Sequence, residues 1–283
     1  VIRLSNNWLA SRIVYVFIEF TRNVPVLLHI LLIHGIMVHF LPLPKQAISV
    51  GDALFLSNRG VYAPRPEFLD GFGFTVAAFG IAVIAALVFR RWAKKVQEDT
   101  GKIYPVFLIC TGVIIGLPLI VFLISGSPLV WELPKMGRFN LQGGVMMLPE
   151  FLALWLALSF YTSAFIAEIV RSGIMAINKG QWEAAGALGI RRNRVLQLVI
   201  IPQALRVIIP PLASQYLNLT KNSSLAIAIG YMDIVATIGG ITLMQTGKEM
   251  ETMILVLLLY LSFSLVISAF MNWYNKRIAL VER

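Results

Sequence analysis

At 283 residues, 58% of them apolar, with a mean hydropathy of +0.79 and only 13% charged, the chain lacks the polar side chains needed to cover a water-soluble globule of this size. Its net charge of +10 sits in short segments between long apolar runs instead of on one face, which argues against a nucleic-acid partner and for orientation in a membrane. Cys110 is the only cysteine, so an intramolecular disulfide is excluded.

The chain opens Val-Ile-Arg-Leu, with no initiator Met and no signal-peptide pattern, and the natural protein is expected to extend further upstream. Apolar runs long enough to cross a hydrocarbon core lie at about 24–42, 73–89, 103–124, 147–170, 195–217 and 253–274. The expected fold class is therefore all-α, a polytopic transmembrane helical bundle. His29, His34 and His39 recur every five residues in the first run, a step that spreads them around a helix and rules out a shared metal. The segment Leu43–Gly73 is rich in Pro and Gly and reads as loop.

Six spans place both ends of the chain on one side of the membrane. Lys and Arg number sixteen in 1–23, 90–102, 171–194 and 276–283, against seven in 43–72, 125–146 and 218–252. The positive-inside rule then puts both ends in the cytoplasm. The fifth run is the least regular, with Pro202, Arg206, Pro210, Pro211 and Gln215. It crosses either at 195–217 or from near Gln203 onward, carrying Lys221 into the membrane; in both registers it suits a cavity lining better than a lipid face.

Between the fourth and fifth runs, "NKGQWEAAGALG" (178–189) has the pattern of a short helix. Trp182, Ala185, Gly186 and Gly189 recur at i, i+3, i+4 and i+7, a stripe that another backbone can approach closely. Glu183 beside it offers a carboxylate to a basic partner. The segment is too short and polar to span, and the residues leave open whether it docks on a protein or rests on lipid headgroups.

Glu183-Ala184-Ala185, three residues, Gly189, nine residues and then Val199-Ile200-Ile201-Pro202 resemble the "EAA, x3, G, x9, I-x-L-P" loop of the membrane subunits of bacterial ABC importers, with Val199 and Ile201 in place of Ile and Leu. Tyr161–Ile190, Pro202–Gly230 and Phe20–Leu32 resemble the polar amino-acid branch of that family. The resemblance covers 1–42 and 145–283, and an insertion at 43–144 with two extra spans is similar to the longer subunit of the general L-amino-acid permeases, which also serve glutamate, glutamine, aspartate and asparagine. It implies a type I, MetI-like permease fold.

The resemblance further implies a cytoplasmic coupling loop at 178–202. Its ATPase-coupling residues would be Trp182, Glu183, Ala184, Ala185, Gly186, Gly189 and Pro202, with Glu183 making the polar contact. Arg191, Arg192 and Arg194 would either join them or remain a solvated basic cluster. Implied partners are two cytoplasmic ATPase subunits, a second permease subunit forming a heterodimer, and a periplasmic amino-acid-binding protein. The phosphate-binding pattern GxxxxGK[ST] does not occur in these residues, so ATP-Mg would be bound and hydrolysed by the partner; no cofactor and no catalytic residue are expected here.

For the substrate path, Tyr161 and Glu168 share a helical face with Phe165, and ionisable groups within spans usually face a cavity or a partner. The alternative for Glu168 is a pair with Arg171 at i+3. Lys221, with Asn218 and Asn222 nearby, is the matching cation for an amino acid's carboxylate, unless it lies in an outside loop. The rival classes are an ATP-independent secondary amino-acid transporter or channel, for which inverted repeats are expected and not found, and a membrane anchor that transports nothing.

Overall fold

The computed structural model describes residue 3 and residues 7–51, 53–138 and 140–278. Its helices, in chain order, are α1 (Trp8–Asn23), α2 (Val26–Phe40), α3 (Phe72–Thr100), α4 (Val106–Ile124), α5 (Pro149–Met175), α6 (Lys179–Ala187), α7 (Arg192–Val195), α8 (Ile201–Asn222), α9 (Leu243–Thr246) and α10 (Glu249–Ile278). Five helical runs are long and apolar enough to cross a membrane: α3, α4, α5, the continuous Arg192–Ile229 and α10. A sixth is counted if α1 and α2, which meet at 107°, form one broken span. Pro25 causes that break, because its ring disfavours a helical residue before it and Val24 is accordingly extended at φ −102°, ψ 131°. At 15 residues α2 is about 22 Å long, shorter than the hydrocarbon core of about 30 Å.

Contacts divide the chain into two compact units, one of Val1–Leu43, Ser57–Gly60 and Met147–Arg283, the other of Pro44–Leu56 and Val61–Met146. In the first unit, Ile30 of α2 packs with Ala153, Leu154, Ala157 and Leu158 of α5 and with Ala226 and Ile229 beyond α8. Alanine at 153 and 157 lets the helices approach closely, as small residues do wherever lipid removes the hydrophobic drive for association. α5 also lies against α8, where Gly173 accommodates Ile208. The run 192–229 begins as α7, widens into a π-helical stretch at Leu196–Ile200, continues as α8 and tightens to a 3-10 helix at Ser223–Ile229. Pro202 has no amide hydrogen and its ring crowds the carbonyl four residues back, which favours the wider register ahead of it.

The second unit contains the α3–α4 hairpin and most of eight short strands: β1 (Ile48–Val50), β2 (Leu54–Ser57), β3 (Gly60–Ala63), β4 (Arg65–Phe68), β5 (Leu129–Glu132), β6 (Lys135–Met136), β7 (Leu141–Gln142) and β8 (Val145–Met147). They form a sheet of order β1-β2-β3-β8 and two antiparallel ribbons, β4-β5 and β6-β7. The expectation of plain loop over Leu43–Gly73 is thereby corrected. Strands of three or four residues are too short to show a twofold alternation, and β4 finds its partner more than sixty residues later, Arg65 opposite Glu132 and Phe68 opposite Leu129.

Candidate functional site

The segment between α5 and α8 folds as a hairpin with a core of its own. Asn178 caps α6, its Oδ1 accepting the Gly180 amide at 2.9 Å. The helix ends where the Gly189 amide donates to the Gly186 carbonyl at 2.9 Å and Gly189 adopts φ +71°, a left-handed conformation that a residue with a Cβ resists. Ala185, Val195 and Ile200 are buried together, with Ile174, Ile177, Trp182, Ile190, Leu196 and Val199 packed around them. Gln203 at the start of α8 donates to Gln181 of α6 across 3.3 Å and closes the hairpin on itself.

This arrangement divides the stripe expected to dock. Ala185 is 5% exposed and Trp182 is half-buried, so both turn towards the hairpin's own core. Glu183, Ala184, Gly186 and Gly189 are exposed. Pro202, partly buried, starts α8 beside Gln203. A cavity of about 470 Å³ lined by Gly189, Ile190, Arg191 and Arg194 lies beside the end of α6. The exposed arginines thus border the same concavity as the glycine that ends the helix.

Within the first unit, a cavity of about 240 Å³ between α5 and α8 is lined by Tyr161, Thr162, Phe165, Gln215, Asn218, Leu219 and Asn222. Three of the expected substrate-path residues, Tyr161, Asn218 and Asn222, meet there. Glu168 and Lys221 do not. Lys221 is exposed in the last turn of α8. Glu168 lines a separate cavity of about 210 Å³ with Arg22, Phe165 and Gly173. Its carboxylate accepts from Arg171 Nε at 3.0 and 3.1 Å and pairs with Arg3, while Arg22 stacks over Phe165 at 5.4 Å. Tyr161 is held by ring contacts with Phe165 at 4.9 Å and His29 at 5.9 Å. His34 faces Glu150 at 3.8 Å, so His29 and His34 enter different surroundings.

Residues 78–280 match the family described as the binding-protein-dependent transport system inner membrane component. The chain belongs to this family. It is 49% identical over 281 residues to the general L-amino acid transport system permease protein AapQ of Rhizobium johnstonii, covering 99% of this chain and 70% of that one. It is 46% identical over 318 residues to the glutamate/glutamine/aspartate/asparagine transport system permease protein BztB of Rhodobacter capsulatus, covering 100% of this chain and 73% of that one. A crystal structure of an amino acid ABC transporter with histidines is 28% identical, covers 73% of this chain and 90% of that chain, and superposes with a TM-score of 0.42.

The chain is thus an inner-membrane, multi-pass permease of the ABC importer class. Thr162 and Gln215 line the permease cavity beside the expected residues. Gln215, one of the residues that suit the fifth run to a cavity lining, lies three residues before Asn218 on one helical face, and Thr162 follows Tyr161. The role of Arg22 beside Glu168 had no local signal, because the two lie on helices far apart in the chain.

Proposed function

We propose that this permease carries L-amino acids in an ATP-driven importer, and that α6 couples it to a separate ATPase subunit. The carrying observation is the hairpin geometry: α6 is anchored by Ala185 and Trp182 while Glu183, Ala184 and Gly186 remain exposed. Glu183 supplies a charged contact to the ATPase, and the cavity bordered by Arg191 and Arg194 receives a complementary group from it. Gln181–Gln203 and the shared core pass the displacement of α6 to the base of α8. Pro202 marks where that displacement enters the crossing helix.

Substrate passes along the α5–α8 cavity, where Tyr161, Gln215, Asn218 and Asn222 offer an aromatic wall and amide groups to a zwitterion. Lys221 supplies a cation for the carboxylate from the edge of that path. Glu168, already shared by Arg171 and Arg3, acts as a clamp rather than as a partner for the substrate's ammonium. The amino-acid assignment is supported by the names of the relatives. The assignment of a heterodimer is supported by BztB and BztC of Rhodobacter capsulatus, two permease proteins named for one transport system.

Both ends of the chain lie on the cytoplasmic side, and a periplasmic amino-acid-binding protein delivers the substrate. The chain itself is non-catalytic, with ATP-Mg held by the partner. Co-expression with an ATPase subunit, a second permease and a solute-binding protein tests this directly. The expected result is a detergent-stable complex whose ATPase activity rises with amino-acid-loaded binding protein; an ATP-independent carrier would give uptake without the ATPase subunit.

A further inference from the structure

The α3–α4 hairpin ends in a charged extension whose cations count towards the orientation of the chain but have no ligand assigned to them. α3 has 29 residues, about 43 Å of helix, whereas its apolar part ends at Phe89. Directly after it come Arg90, Arg91, Lys94 and Lys95, all exposed, and Lys102 follows the helix cap at Gly101. On the other flank Phe89, Trp92 and Tyr104 form one aromatic cluster, with centroids 5.7, 5.4 and 6.5 Å apart, and Trp92 is 49% exposed.

Three features of this end point to one ligand. Buried Ala86 and Ala93 mark the side of α3 that faces α4, with Cys110 Sγ 3.5 Å from the Ala86 carbonyl. At 100° per residue the four cations fall between about 60° and 200° round from Ala93, with Arg90 on the flank of the α4-facing side and Arg91 and Lys95 opposite it. From Arg90 to Lys95 the helix rises about 8 Å, close to the roughly 5–8 Å thickness of one headgroup layer, so all four lie at phosphate level when α3 crosses. The acidic residues Glu98 and Asp99 stand a turn beyond that layer. The Lys94–Glu98 pair, 3.7 Å apart and widely exposed, is too weak to neutralise the cluster. A soluble acidic partner would meet the far end of the helix first, where these acids sit.

We infer that the basic end of the α3–α4 hairpin is a binding site for anionic phospholipid, with Arg90, Arg91, Lys94 and Lys95 on the headgroup phosphates and Trp92 and Tyr104 fixing its depth. The inference rests on α3 and α4 crossing the bilayer. Each cation near an anionic surface strengthens the attraction to that surface about fivefold.

The assembled transporter in nanodiscs, with brominated phosphatidylglycerol or brominated phosphatidylcholine as quencher, reads the site through Trp92. The expected result is at least about fivefold stronger quenching by the anionic lipid. That excess disappears in Trp92→Phe, falls to parity in the R90Q/R91Q/K94Q/K95Q variant, and survives R90K/R91K, which keeps charge and controls for folding. Equal quenching by the two lipids, or a preference that survives the four glutamines, overturns the inference. So does loss of the preference in millimolar inorganic phosphate, which would show that isolated phosphate suffices. If the lipid preference is absent and the four glutamines instead weaken assembly with the ATPase subunit, the surface is a protein-docking site and the lipid site falls.

Discussion

A Cβ placed on Gly173 of α5 would lie 2.3 Å from Cγ1 of Ile208 on α8, so the two helices touch at a point that only glycine permits. Ile208 is buried, so its side chain has little room to turn away. Gly173→Val is expected to cost about 1–3 kcal/mol through overpacking and to separate the helices that bound the α5–α8 cavity. A lowered denaturation midpoint in detergent, together with reduced uptake, checks this. An unchanged midpoint would show that the close approach contributes nothing.

Glu183 lies on the exposed side of α6, so Glu183→Lys leaves the permease folded but inverts the charge that the proposed coupling would offer to the ATPase. Losing a charge-assisted contact worth about 1.5–3 kcal/mol lowers affinity for the ATPase subunit about tenfold or more. Titration of the purified subunits measures the affinity, and transport assays then show whether ATP hydrolysis has lost its link to uptake. Normal coupling in this variant would remove α6 from the interface.

Neighbouring alanines in the hairpin are expected to respond in opposite ways. Ala185→Leu overfills the small core with Val195 and Ile200 and costs about 1–3 kcal/mol locally, visible as faster amide exchange over residues 180–200. Ala184→Leu, on the exposed side, leaves exchange unchanged and weakens ATPase binding. The reverse pattern would mean that α6 is turned the other way.

Substitutions at Glu168 and at the amides of α8 test the proposed division into clamp and path. Glu168→Gln removes the charge that Arg171 and Arg3 share, at a cost of about 1.5–3 kcal/mol, and lowers thermal stability with little change in KM. Asn218→Ala and Asn222→Ala leave stability near that of the parent and raise KM, because both line the cavity. Lys221→Ala, at an exposed position, is expected to raise KM without moving the melting temperature. A rise in KM for Glu168→Gln at unchanged stability would return it to the substrate path.

Much of this protein is legible in the order of its residues. Long apolar runs fix a helical membrane fold, because backbone groups in hydrocarbon must be satisfied within their own segment. The spacing from Glu183 to Gly189 and Pro202 marks a short helix, its end and the start of the next helix, because each demands particular residues.

Tertiary structure decided the rest. It turned Ala185 and Trp182 inward, because a nine-residue helix must bury some apolar surface and its nearest partners lie at Ile174, Ile177 and in 190–200. Glu168 was drawn to Arg3 as well as Arg171, a meeting of residues 165 positions apart that no periodicity announces. In the same way Arg65 found Glu132 and made strands of a segment rich in turn residues. Local pattern determines which segments are helices and where they stop; which of their faces meet depends on contacts distant in sequence, and those exist only once the chain has folded.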